Sequence, residues 1–553
     1  MDANQKLAEL LFPQITKTPQ DYEALYPPRD LPEGARVTRF APSPTGFLHI
    51  GSLYPAMINK LVAHSTKGVF YLRVEDTDAK REVENGAQEL IEGLSAFDIV
   101  PDEGITPDGT ERGAYGPYSQ RARREIYQCY AKQLVAQGLA YPCFCTEDAL
   151  NGLRDKQAEA GVNKGYYGEW ALCRDLDFAA QAAALAAGTP WVLRLRSEGD
   201  PEKRIVCEDL IRGKLDMQQN NLDVVLLKVD GIPTYHFAHA VDDHLMRTTH
   251  VIRGDEWIAS LPLHIELFRV CGFKPPKYAH IAPLMKEEDG SKRKISKRKD
   301  PEAAVRYFVE EGYPASAVQE YLMTLMNSNF EDWRRANPAA ALSDFPFNLK
   351  KMSASGALFD GAKLADVSKN VISRMTAQEV FVHALCWAWA FDAPLAALLE
   401  GNSDFAKGIF AIDRGGAKPR KDIARWSEVA DYVAYFYDGR FDPAFALPEN
   451  IGAADAVAIL AAYQTVYCHA DDRDAWFARM KDLCAPLGFT PNVKEYKQNP
   501  QDCKGHIGDI SAVIRLALTA RGNTPDLYAI TQLLGEGAVL QRLENAHANL
   551  AQA

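Results

Sequence analysis

The chain has 553 residues, too many for one hydrophobic core, so its length predicts several domains. A hydrophobic content of 47% with 25% charged residues excludes a disordered protein, and ten cysteines in so long a chain exclude a disulfide scaffold. The N-terminal residues MDANQKLAEL lack a basic segment followed by an apolar run, and no stretch approaches the ~18 uninterrupted apolar residues of a membrane span. We therefore expect a cytoplasmic protein that does not contact membranes.

The chain begins with a predicted cap and then a strand that leads into a helix. Residues 1–35 have two short helix-like pieces and a proline-rich approach, which we interpret as a cap on the first domain. Val37–Phe40 has strand chemistry, and from Ser52 apolar residues recur at helical spacing. Unpaired N–H groups at a helix N-terminus favour a phosphate, and Gly46 and Gly51 allow the main chain to approach it closely. The pattern predicts an anion site.

Two motifs in this stretch resemble one enzyme family. His49-Ile50-Gly51-Ser52 resembles the "HIGH" signature of class I aminoacyl-tRNA synthetases, with serine in place of the last histidine. The preceding block, RFAPSPTG from Arg39 to Gly46, resembles the segment before that signature in bacterial-type glutamyl-tRNA synthetases. Glutaminyl and eukaryotic-type relatives usually carry a glutamate where Ser43 stands. The resemblance implies an ATP-dependent enzyme that charges tRNA with glutamate.

A second strand is predicted at Val69–Val74, where the residues VFYLRV form a nearly continuous apolar run. It ends in Glu75-Asp76-Thr77-Asp78, which resembles the "EDTD" block of the same family. Strand, helix and strand make a βαβ unit, in which ligands bind beyond the carboxyl ends of the strands. We therefore expect the segments 39–45 and 75–78 to face one crevice.

An insertion is predicted to interrupt the parallel pattern after helices at 86–97 and 119–138. It has strand-like segments at 191–196 and 205–210, and the parallel sheet is predicted to resume at 222–229. By resemblance this insertion binds the acceptor end of tRNA.

The insertion opens with Cys143-Phe144-Cys145, and Cys173 follows at a loop's distance. Many relatives carry a zinc knuckle here, which makes the three cysteines candidate zinc ligands. Several relatives supply a histidine as the fourth ligand, whereas this chain has Asp175 at that position, with tyrosines 166 and 167 nearby as poor substitutes. Two interpretations remain open: the cysteines bind zinc, or they are small buried hydrophobic residues.

Two blocks further on resemble the second half of the glutamyl catalytic domain, GIPTYHFAHAVDDH from Gly231 and THVIRGDEWI from Thr249. Tyr235 offers a ring and a hydroxyl, Arg253 a forked cation at a strand end, and Trp257 a flat face at a helix start. His239 stands where relatives often have asparagine.

The second class I signature, "KMSKS", has two candidates. Lys294-Ile295-Ser296-Lys297-Arg298 follows a short strand predicted at 280–284 and resembles the "KxSKR" form of glutamyl enzymes. Lys351-Met352-Ser353-Ala354-Ser355 has alanine where the second lysine must reach the triphosphate. We reject the latter and predict that it opens a helix capped by Ser353 or Ser355.

Strand signals fade after residue 301, and helix-length amphipathic runs continue to the C-terminus. The final helices, from Gly505 onward, resemble the bacterial anticodon-binding domain. Although the net charge is -12, the segments KRKISKRK at 292–299 and 414–425 are locally basic. The second segment is a candidate contact with tRNA. The alternative is that it is only a charged, solvent-exposed surface. Its candidate residues are Arg414, Lys418, Arg420 and Lys421.

The expected fold class is α/β, a Rossmann-like doubly wound parallel-sheet catalytic domain with an inserted acceptor-binding α+β domain and an all-α C-terminal region. The expected segments are an N-terminal extension at 1–35, the first half of the catalytic domain at 36–138, the inserted domain at 139–221, the second half of the catalytic domain with the signature loop at 222–300, a stem-contact helical domain at 301–375 and an anticodon-binding domain at 376–553.

The resemblance also implies a role for each candidate residue in joining L-glutamate to the terminal adenosine of tRNA-Glu. Expected partners are ATP with Mg²⁺, L-glutamate and tRNA-Glu, bound by a monomer, and zinc is possible. The candidate residues are His49, Ser52, Lys294 and Lys297 for catalysis; Thr45, His49, Gly51, Trp257 and Lys297 for ATP; and Arg39, Ser43, Glu75, Tyr235 and Arg253 for glutamate.

Four rival functions are disfavoured by the sequence. A glutaminyl enzyme would have a block resembling "PEPN", which is absent, and a tRNA-modifying paralogue would end near the catalytic domain. A non-catalytic RNA-binding module would tolerate loss of His49 and Lys297, and both are present. A small-molecule adenylyltransferase would be far shorter and would have no helical tail.

Overall fold

The computed structural model describes residues 1–44, 48–78, 83, 85–296 and 299–552. The chain divides into two compact units. The first contains Met1–Val309 and Gln319–Asp360, and the second contains Glu310–Val318 and Gly361–Ala553. Among the described residues, no helix is both long and apolar enough to span a membrane.

The first unit begins with a helical cap on a βαβ core. The parallel strands β1 and β2 pair with Val37 opposite Val69, and all four residues of β1 are buried. Helix α3 crosses between them, so the predicted βαβ unit is confirmed. The N-terminal helices contribute Leu7, Leu11 and Tyr22 to the core beside α5. The elements are α1 Ala3–Leu11, α2 Pro19–Leu25, β1 Val37–Phe40, α3 Ile50–His64, β2 Val69–Leu72, α4 Gly86–Ser95, β3 Gly104–Ile105, β4 Glu111–Arg112 and α5 Arg124–Ala136.

The insertion contains a three-stranded antiparallel sheet in the order β5-β6-β9 and a hairpin formed by β7 and β8. The prediction that 222–229 resumes the parallel sheet is wrong, because β9 pairs antiparallel with β6. A short apolar run indicates a buried strand but not its partner. The elements are β5 Ala140–Cys143, α6 Glu147–Glu159, α7 Phe178–Ala186, β6 Val192–Leu195, β7 Arg204–Asp209, β8 Gly213–Gln218 and β9 Val225–Leu227.

The parallel strands resume at β10, which pairs with β11. The preceding Thr249 hydrogen bonds with Val37 of β1 through both backbone and side chain, so β1 and β10 are neighbours. The end of β7 joins the outer side of β11, with Asp209 opposite Tyr278. The elements are α8 Tyr235–Leu245, β10 His250–Gly254, α9 Leu261–Val270, β11 Lys277–Ile281, β12 Leu284–Glu288, β13 Ser291–Lys294, α10 Val305–Glu310, α11 Ala315–Met326, α12 Phe330–Ala336 and β14 Ala357–Leu358.

The rejected signature look-alike does not open a helix, so that prediction is wrong. Residues 352–356 are irregular and lead into β14, which pairs parallel with β12. Gly356 adopts a φ of +85°, and a Cβ at this position would lie 2.9 Å from the carbonyl oxygen of Pro283. This close backbone approach favours glycine and ends any helical pattern.

The second unit is helical throughout its described residues, as predicted. Two apolar cores hold it together, one around Phe410 and Trp426 and the other around Trp476 and Ile514. The elements are α13 Gly361–Arg374, α14 Ala377–Phe391, α15 Ala393–Gly401, α16 Ser403–Ala411, α17 Val429–Val433, α18 Ala453–Val466, α19 Arg473–Asp482, α20 Cys484–Leu487, α21 Val493–Gln498, α22 Ile507–Thr519, α23 Leu527–Leu534 and α24 Glu536–Gln552.

Candidate functional site

The predicted anion site lies at the N-terminus of α3. His49 is the N-cap residue in an extended conformation, and its carbonyl oxygen accepts from the N–H of Ser52 at 2.7 Å. A Cβ at Gly51 would lie 2.7 Å from two ring atoms of His49. Only glycine therefore lets the imidazole lie over the first helical turn. Thr45 falls outside the described residues.

The segment that follows the second signature lies against the first signature. His49 forms an isolated antiparallel bridge with Ala304, and the N–H of Val305 donates to the carbonyl oxygen of Leu48 at 3.0 Å. The chain that leaves the KISKR loop is thus fixed against the start of α3. Lys297 itself lies outside the described residues.

Asp300 anchors the base of the signature loop. Its buried carboxylate accepts two 2.7 Å hydrogen bonds from Arg293 and one of 2.9 Å from the N–H of Ser296. These bonds join β13, before the loop, to the residue that follows it. Arg293 is one of the six cations of the basic run, and here it is part of the scaffold.

Lys294 connects the loop to the opposite side of the crevice. Its ammonium lies 3.6 Å from the carboxylate of Glu256, on the 3₁₀ turn Asp255–Ser260. Both side chains are more than half exposed, so the pair contributes only ~0–1 kcal/mol to stability. The contact places Lys294 beside the turn that also carries Trp257.

A buried cluster of alternating charges lies behind β1 and β2. Arg39 donates from Nε to Asp243 at 3.2 Å, while Arg73 donates to Asp243 at 2.7 Å and to Glu75 at 3.1 Å. Burial opposes ionisation of Asp243, but Arg39, Arg73 and His239 hold its pKa well below its usual value. Asp243 therefore fixes Arg39 through one nitrogen only. Among the described residues, the two terminal nitrogens of Arg39 have no hydrogen-bond partner.

Glu75 and the loop after β1 are adjacent, as predicted. The N–H of Glu75 donates to the carbonyl oxygen of Pro42 at 2.9 Å. Burial raises the pKa of Glu75 to about 7, against the opposing charges of Arg73 and Arg39. A cationic group next to this carboxylate would favour its ionised form. Ser43 is exposed on the same loop.

Arg253 is a further buried arginine of the site, and only 6% of its surface is exposed. Its guanidinium donates to His280 Nε2 at 3.0 Å and contacts His264 Nδ1 at 3.0 Å and the hydroxyl of Tyr235 at 3.5 Å. In the described part of the chain, no carboxylate oxygen lies within 4.0 Å of its nitrogens. Arg253 therefore keeps an uncompensated positive charge.

Aromatic rings form one wall of the site around Arg253. The ring centroids of Tyr235 and Trp257 are 4.1 Å apart, and the Arg253 guanidinium lies 5.9 Å from the Trp257 ring. His239 stacks on Tyr235 at 5.9 Å and bonds to Tyr278. Burial raises the pKa of Tyr235, which also responds to the charges of Arg253, Glu75 and Arg39. The predicted glutamate-binding side chains Arg39, Glu75, Tyr235 and Arg253 therefore share one electrostatic environment.

The three cysteines of the insertion form a compact cluster. Their sulfur atoms all lie within 4.8 Å of one another, and Cys145 Sγ and Cys173 Sγ are 3.6 Å apart. Asp175, which stands where several relatives have the histidine ligand, is not part of the cluster, and its exposed carboxylate pairs with Arg196. The hydroxyl of Tyr166 instead lies 3.4 Å from both Cys143 Sγ and Cys145 Sγ.

The basic run of the second unit divides into two kinds of residue. Arg414 donates to the carbonyl oxygens of Phe410 and Ile372 at 2.7 Å and to that of Met375 at 3.0 Å, at the ends of α16 and α13. Arg420 forms a forked pair with the carboxylate of Asp422. Lys418 and Lys421, by contrast, are exposed.

Several residues that organise the site were not identified from the sequence. Asp209, His264 and His280 surround Arg253 from three separate elements, and Asp243 links Arg39 to Arg73. Asp243 lies in the block that begins at Gly231, but that block gave it no role, and the other three residues belong to no motif identified from the sequence. The only sequence signal was their polar chemistry within otherwise apolar strands and helices, which predicts burial with a partner but not the identity of that partner.

Comparisons with known proteins agree over nearly the whole chain. A family model for the catalytic domain of class I tRNA synthetases (E and Q) matches residues 36–364, and one for an anticodon binding domain matches residues 496–547. The glutamate-tRNA ligase of Clostridium perfringens strain 13 is 48% identical over 543 residues, which cover 98% of this chain and 100% of that protein. The ligase of Sorangium cellulosum is 45% identical over 555 residues, with 95% and 97% covered.

A solved structure also resembles this one. The glutamate tRNA ligase of Elizabethkingia meningosepticum, crystallised in complex with its amino acid, superimposes with a TM-score of 0.72 at 26% identity. The match covers 93% of this chain and 99% of that one. It confirms the predicted fold class, a Rossmann-like parallel-sheet domain with an insertion and a helical C-terminal region.

Proposed function

Because this chain belongs to the class I tRNA synthetases of the E and Q group, we infer that it is a glutamate-tRNA ligase. It joins L-glutamate to the 3'-terminal adenosine of tRNA-Glu through a glutamyl-adenylate intermediate. The relatives that carry this name match over nearly the full length of the chain.

The uncompensated charge of Arg253 is the observation that best supports glutamate as the amino-acid substrate. A buried guanidinium without an anionic partner is costly, and its forked donors match a carboxylate. The side-chain carboxylate of glutamate supplies the missing anion, whereas glutamine offers only a neutral amide. Tyr235 adds a hydroxyl 3.5 Å from the same guanidinium and orients the substrate group.

The other groups of glutamate fit the cluster behind β1. Arg39 is held by Asp243 through Nε, so its terminal nitrogens are left for the α-carboxylate. Glu75 pairs with the substrate ammonium, and that contact stabilises its ionised form despite burial. Ser43, on the exposed loop, donates a further hydrogen bond. Three charges of the substrate thus meet three charges of the protein.

In the first step, the α-carboxylate of glutamate attacks the α-phosphate of ATP, the bond between the α- and β-phosphates breaks, and pyrophosphate leaves. Negative charge builds on the phosphate oxygens during this transfer. The N-terminus of α3 presents backbone donors there, with His49 and Ser52 as side-chain donors. Thr45 and Lys297 complete the set, Gly51 leaves room for His49, and Trp257 contacts the adenylate. Such prearranged donors can lower a barrier by several kcal/mol. Lys294 steadies the loop through Glu256.

The family implies ATP and a divalent metal as cofactors. We propose that this metal is Mg²⁺, which would enter with ATP rather than be held by a protein cage, and which would neutralise phosphate charge during transfer of the adenylyl group. The side chains of this chain position the substrates around it.

The cysteine cluster fits a structural zinc ion. Tetrahedral zinc with Zn–S bonds of about 2.3 Å places its sulfur ligands roughly 3.8 Å apart, close to the 3.6 Å between Cys145 and Cys173. The Tyr166 oxygen lies where a fourth ligand is needed, 3.4 Å from two of the sulfurs. Cys143, Cys145, Cys173 and Tyr166 would therefore hold the ion, and it would brace β5 against the following loop.

We expect the purified protein to contain about one equivalent of zinc by elemental analysis, in line with a closed four-ligand site. Cys173→Ser should release the metal and lower the melting temperature, while Tyr166→Phe should weaken zinc retention against a chelator. Cys386→Ser is the matched control, because Cys386 is exposed and outside the cluster. A metal-free preparation with full activity would contradict this proposal.

Contacts with tRNA are divided among the predicted segments. Residues 139–221 bind the acceptor end, 301–375 contact the stem and 376–553 bind the anticodon. The match of an anticodon-binding model to residues 496–547 supports the last assignment. Within the basic run, Lys418 and Lys421 are the exposed cations that can pair with phosphates. The bonds of Arg414 and Arg420 to protein groups favour structural roles for those two residues.

Substitutions in this run should separate stability from tRNA binding. Arg414→Ala removes a cation from helix C-termini and leaves three carbonyl groups without their donor, so it should lower the free energy of unfolding by about 1–3 kcal/mol.

Lys421→Ala should leave the melting temperature unchanged but weaken tRNA binding. The slope of the logarithm of the tRNA binding constant against the logarithm of the salt concentration should fall by about one, the contribution of one phosphate contact. Thermal melts and salt titrations of tRNA binding measure both. The assignment is wrong if Lys421→Ala binds tRNA as wild type does.

Aminoacylation with labelled glutamate tests the proposed function directly. Purified tRNA-Glu should be charged, and no charging by the intact enzyme would overturn the function. Separately purified tRNA-Gln in a parallel reaction determines whether the enzyme also charges that tRNA. Labelled glutamine in place of glutamate should give no product above background.

A further inference from the structure

The surroundings of Arg253 determine where two protons must lie. Arginine donates through all of its N–H groups and has no acceptor, so each partner must accept. His280 Nε2, at 3.0 Å from Arg253 Nε, and His264 Nδ1, at 3.0 Å from a terminal nitrogen, must therefore both be unprotonated. Each imidazole is neutral and carries its proton on the other nitrogen.

The second nitrogen of each ring has an acceptor that fits this arrangement. His280 Nδ1 lies 2.8 Å from the carboxylate of Asp209, and His264 Nε2 lies 2.8 Å from Nδ1 of His236. Asp209 also accepts from the backbone N–H groups of Ile211 and Arg212, at 2.9 and 2.8 Å. The carboxylate is thus held rigidly at the end of β7, and His280 has no exposed surface.

These partners explain how Arg253 is fixed without being neutralised. Burial lowers the pKa of His280, and it lowers that of His264 well below its usual value, so both rings are uncharged near neutral pH. A carboxylate in place of either ring would orient the guanidinium equally well but would cancel its charge. The structure keeps the carboxylate of Asp209 one residue further away, where it acts on the tautomer of His280.

We propose that Asp209, through His280, is a positioning residue that sets the amino-acid selectivity of Arg253. This inference rests on the proposed function, in which Arg253 binds the side-chain carboxylate of glutamate. Asp209 belongs to the hairpin of the insertion, so the insertion also contributes to the amino-acid site. His264 supports the guanidinium from α9 in the same way.

Asp209→Asn tests this relay. One carboxylate oxygen of Asp209 accepts from Ile211 and Arg212, and the other accepts from the backbone N–H and Nδ1–H of His280. An amide nitrogen on the His280 side would face the Nδ1 proton, so the ring should change tautomer and present Nε2–H to a guanidinium that can only donate. A displacement of about 1 Å at a substrate-positioning group can cost roughly a hundredfold. We expect kcat/KM for glutamate to fall roughly 10- to 100-fold through KM, with KM for ATP nearly unchanged and the lead over glutamine reduced.

A double-mutant cycle distinguishes the relay from a general structural effect. In His280→Gln, the amide oxygen can accept from Arg253 Nε without help from Asp209, so this variant should retain most of its selectivity. Asp209→Asn should then have little further effect in the His280→Gln background. If Asp209→Asn reduces selectivity equally in the wild-type and the His280→Gln background, Asp209 does not act through His280.

The tautomer can also be measured in the wild-type protein, independently of any variant or substrate. With ¹⁵N-labelled histidine, NMR should show the His280 resonance, assigned by its loss in His280→Gln, as the Nδ1–H form. An Nε2–H form would overturn the relay even if Asp209→Asn fails to fold. Failure of the intact enzyme to use glutamate would instead overturn the proposed function, so the two failures are distinguishable.

Discussion

Arg253→Gln is expected to cause the largest loss of glutamate use among substitutions in the binding site. The wild-type guanidinium is buried, has neutral partners and lacks a carboxylate within the described residues. Removing one member of a buried charge pair costs about 3–5 kcal/mol, which corresponds to a loss of roughly a hundred- to several-thousandfold. Steady-state aminoacylation with labelled glutamate and with labelled glutamine measures the effect.

The ratio of kcat/KM for glutamate to kcat/KM for glutamine is the more specific measurement. A site that pairs a substrate charge can reject the neutral analogue by ~10⁴ without editing. Arg253→Gln should reduce the preference for glutamate over glutamine, measured as this ratio. Arg253→Lys should have an intermediate effect, since it retains the charge but loses the forked geometry.

Arg269→Gln is the matched control for this series, because Arg269 is an exposed arginine of α9 that pairs with Glu198. It should retain wild-type kinetics. A preference for glutamate that survives in Arg253→Gln would show that another group recognises the side-chain carboxylate.

Lys297→Ala should lower glutamate activation by at least ~100-fold, as does loss of one transition-state donor in other enzymes. The residue lies outside the described part of the chain, but both sides of its loop are fixed. Asp300 joins Arg293 to the N–H of Ser296, and the bridge between His49 and Ala304 brings the following segment to α3. The described segment that follows the loop therefore lies beside the N-terminus of α3, where we propose that the ATP phosphates bind.

Lys351→Ala is the matched control for the signature loop. Lys351 ends the 3₁₀ turn Leu349–Lys351, and the chain continues into β14 beside β12. Single-turnover aminoacylation should show near wild-type activation for Lys351→Ala and a slow chemical step for Lys297→Ala. Equal effects at the two positions would refute the choice of signature loop.

The sequence by itself determined the parts of this protein that depend on local patterns. The buried strands around Val37 and Val69, the helix start at His49 and the helical C-terminal region each follow from the period of apolar residues and from the position of glycine and proline. The family motifs lie on these same elements. Local patterns were therefore sufficient to predict these elements, whereas the family was predicted from the resemblance of the motifs that lie on them.

Only the tertiary structure decided the partners of the buried charges. Whether Arg39, Arg253 or Arg414 binds a substrate, an acid or a backbone carbonyl depends on residues such as Asp243, His280 and Met375, which lie 204, 27 and 39 positions away in the chain. The same holds for β9, whose apolar run predicts burial but not a partner strand, and for Tyr166, which lies beside the cysteines instead of Asp175. A polar side chain in an apolar segment must be satisfied, but only the folded chain determines which group satisfies it.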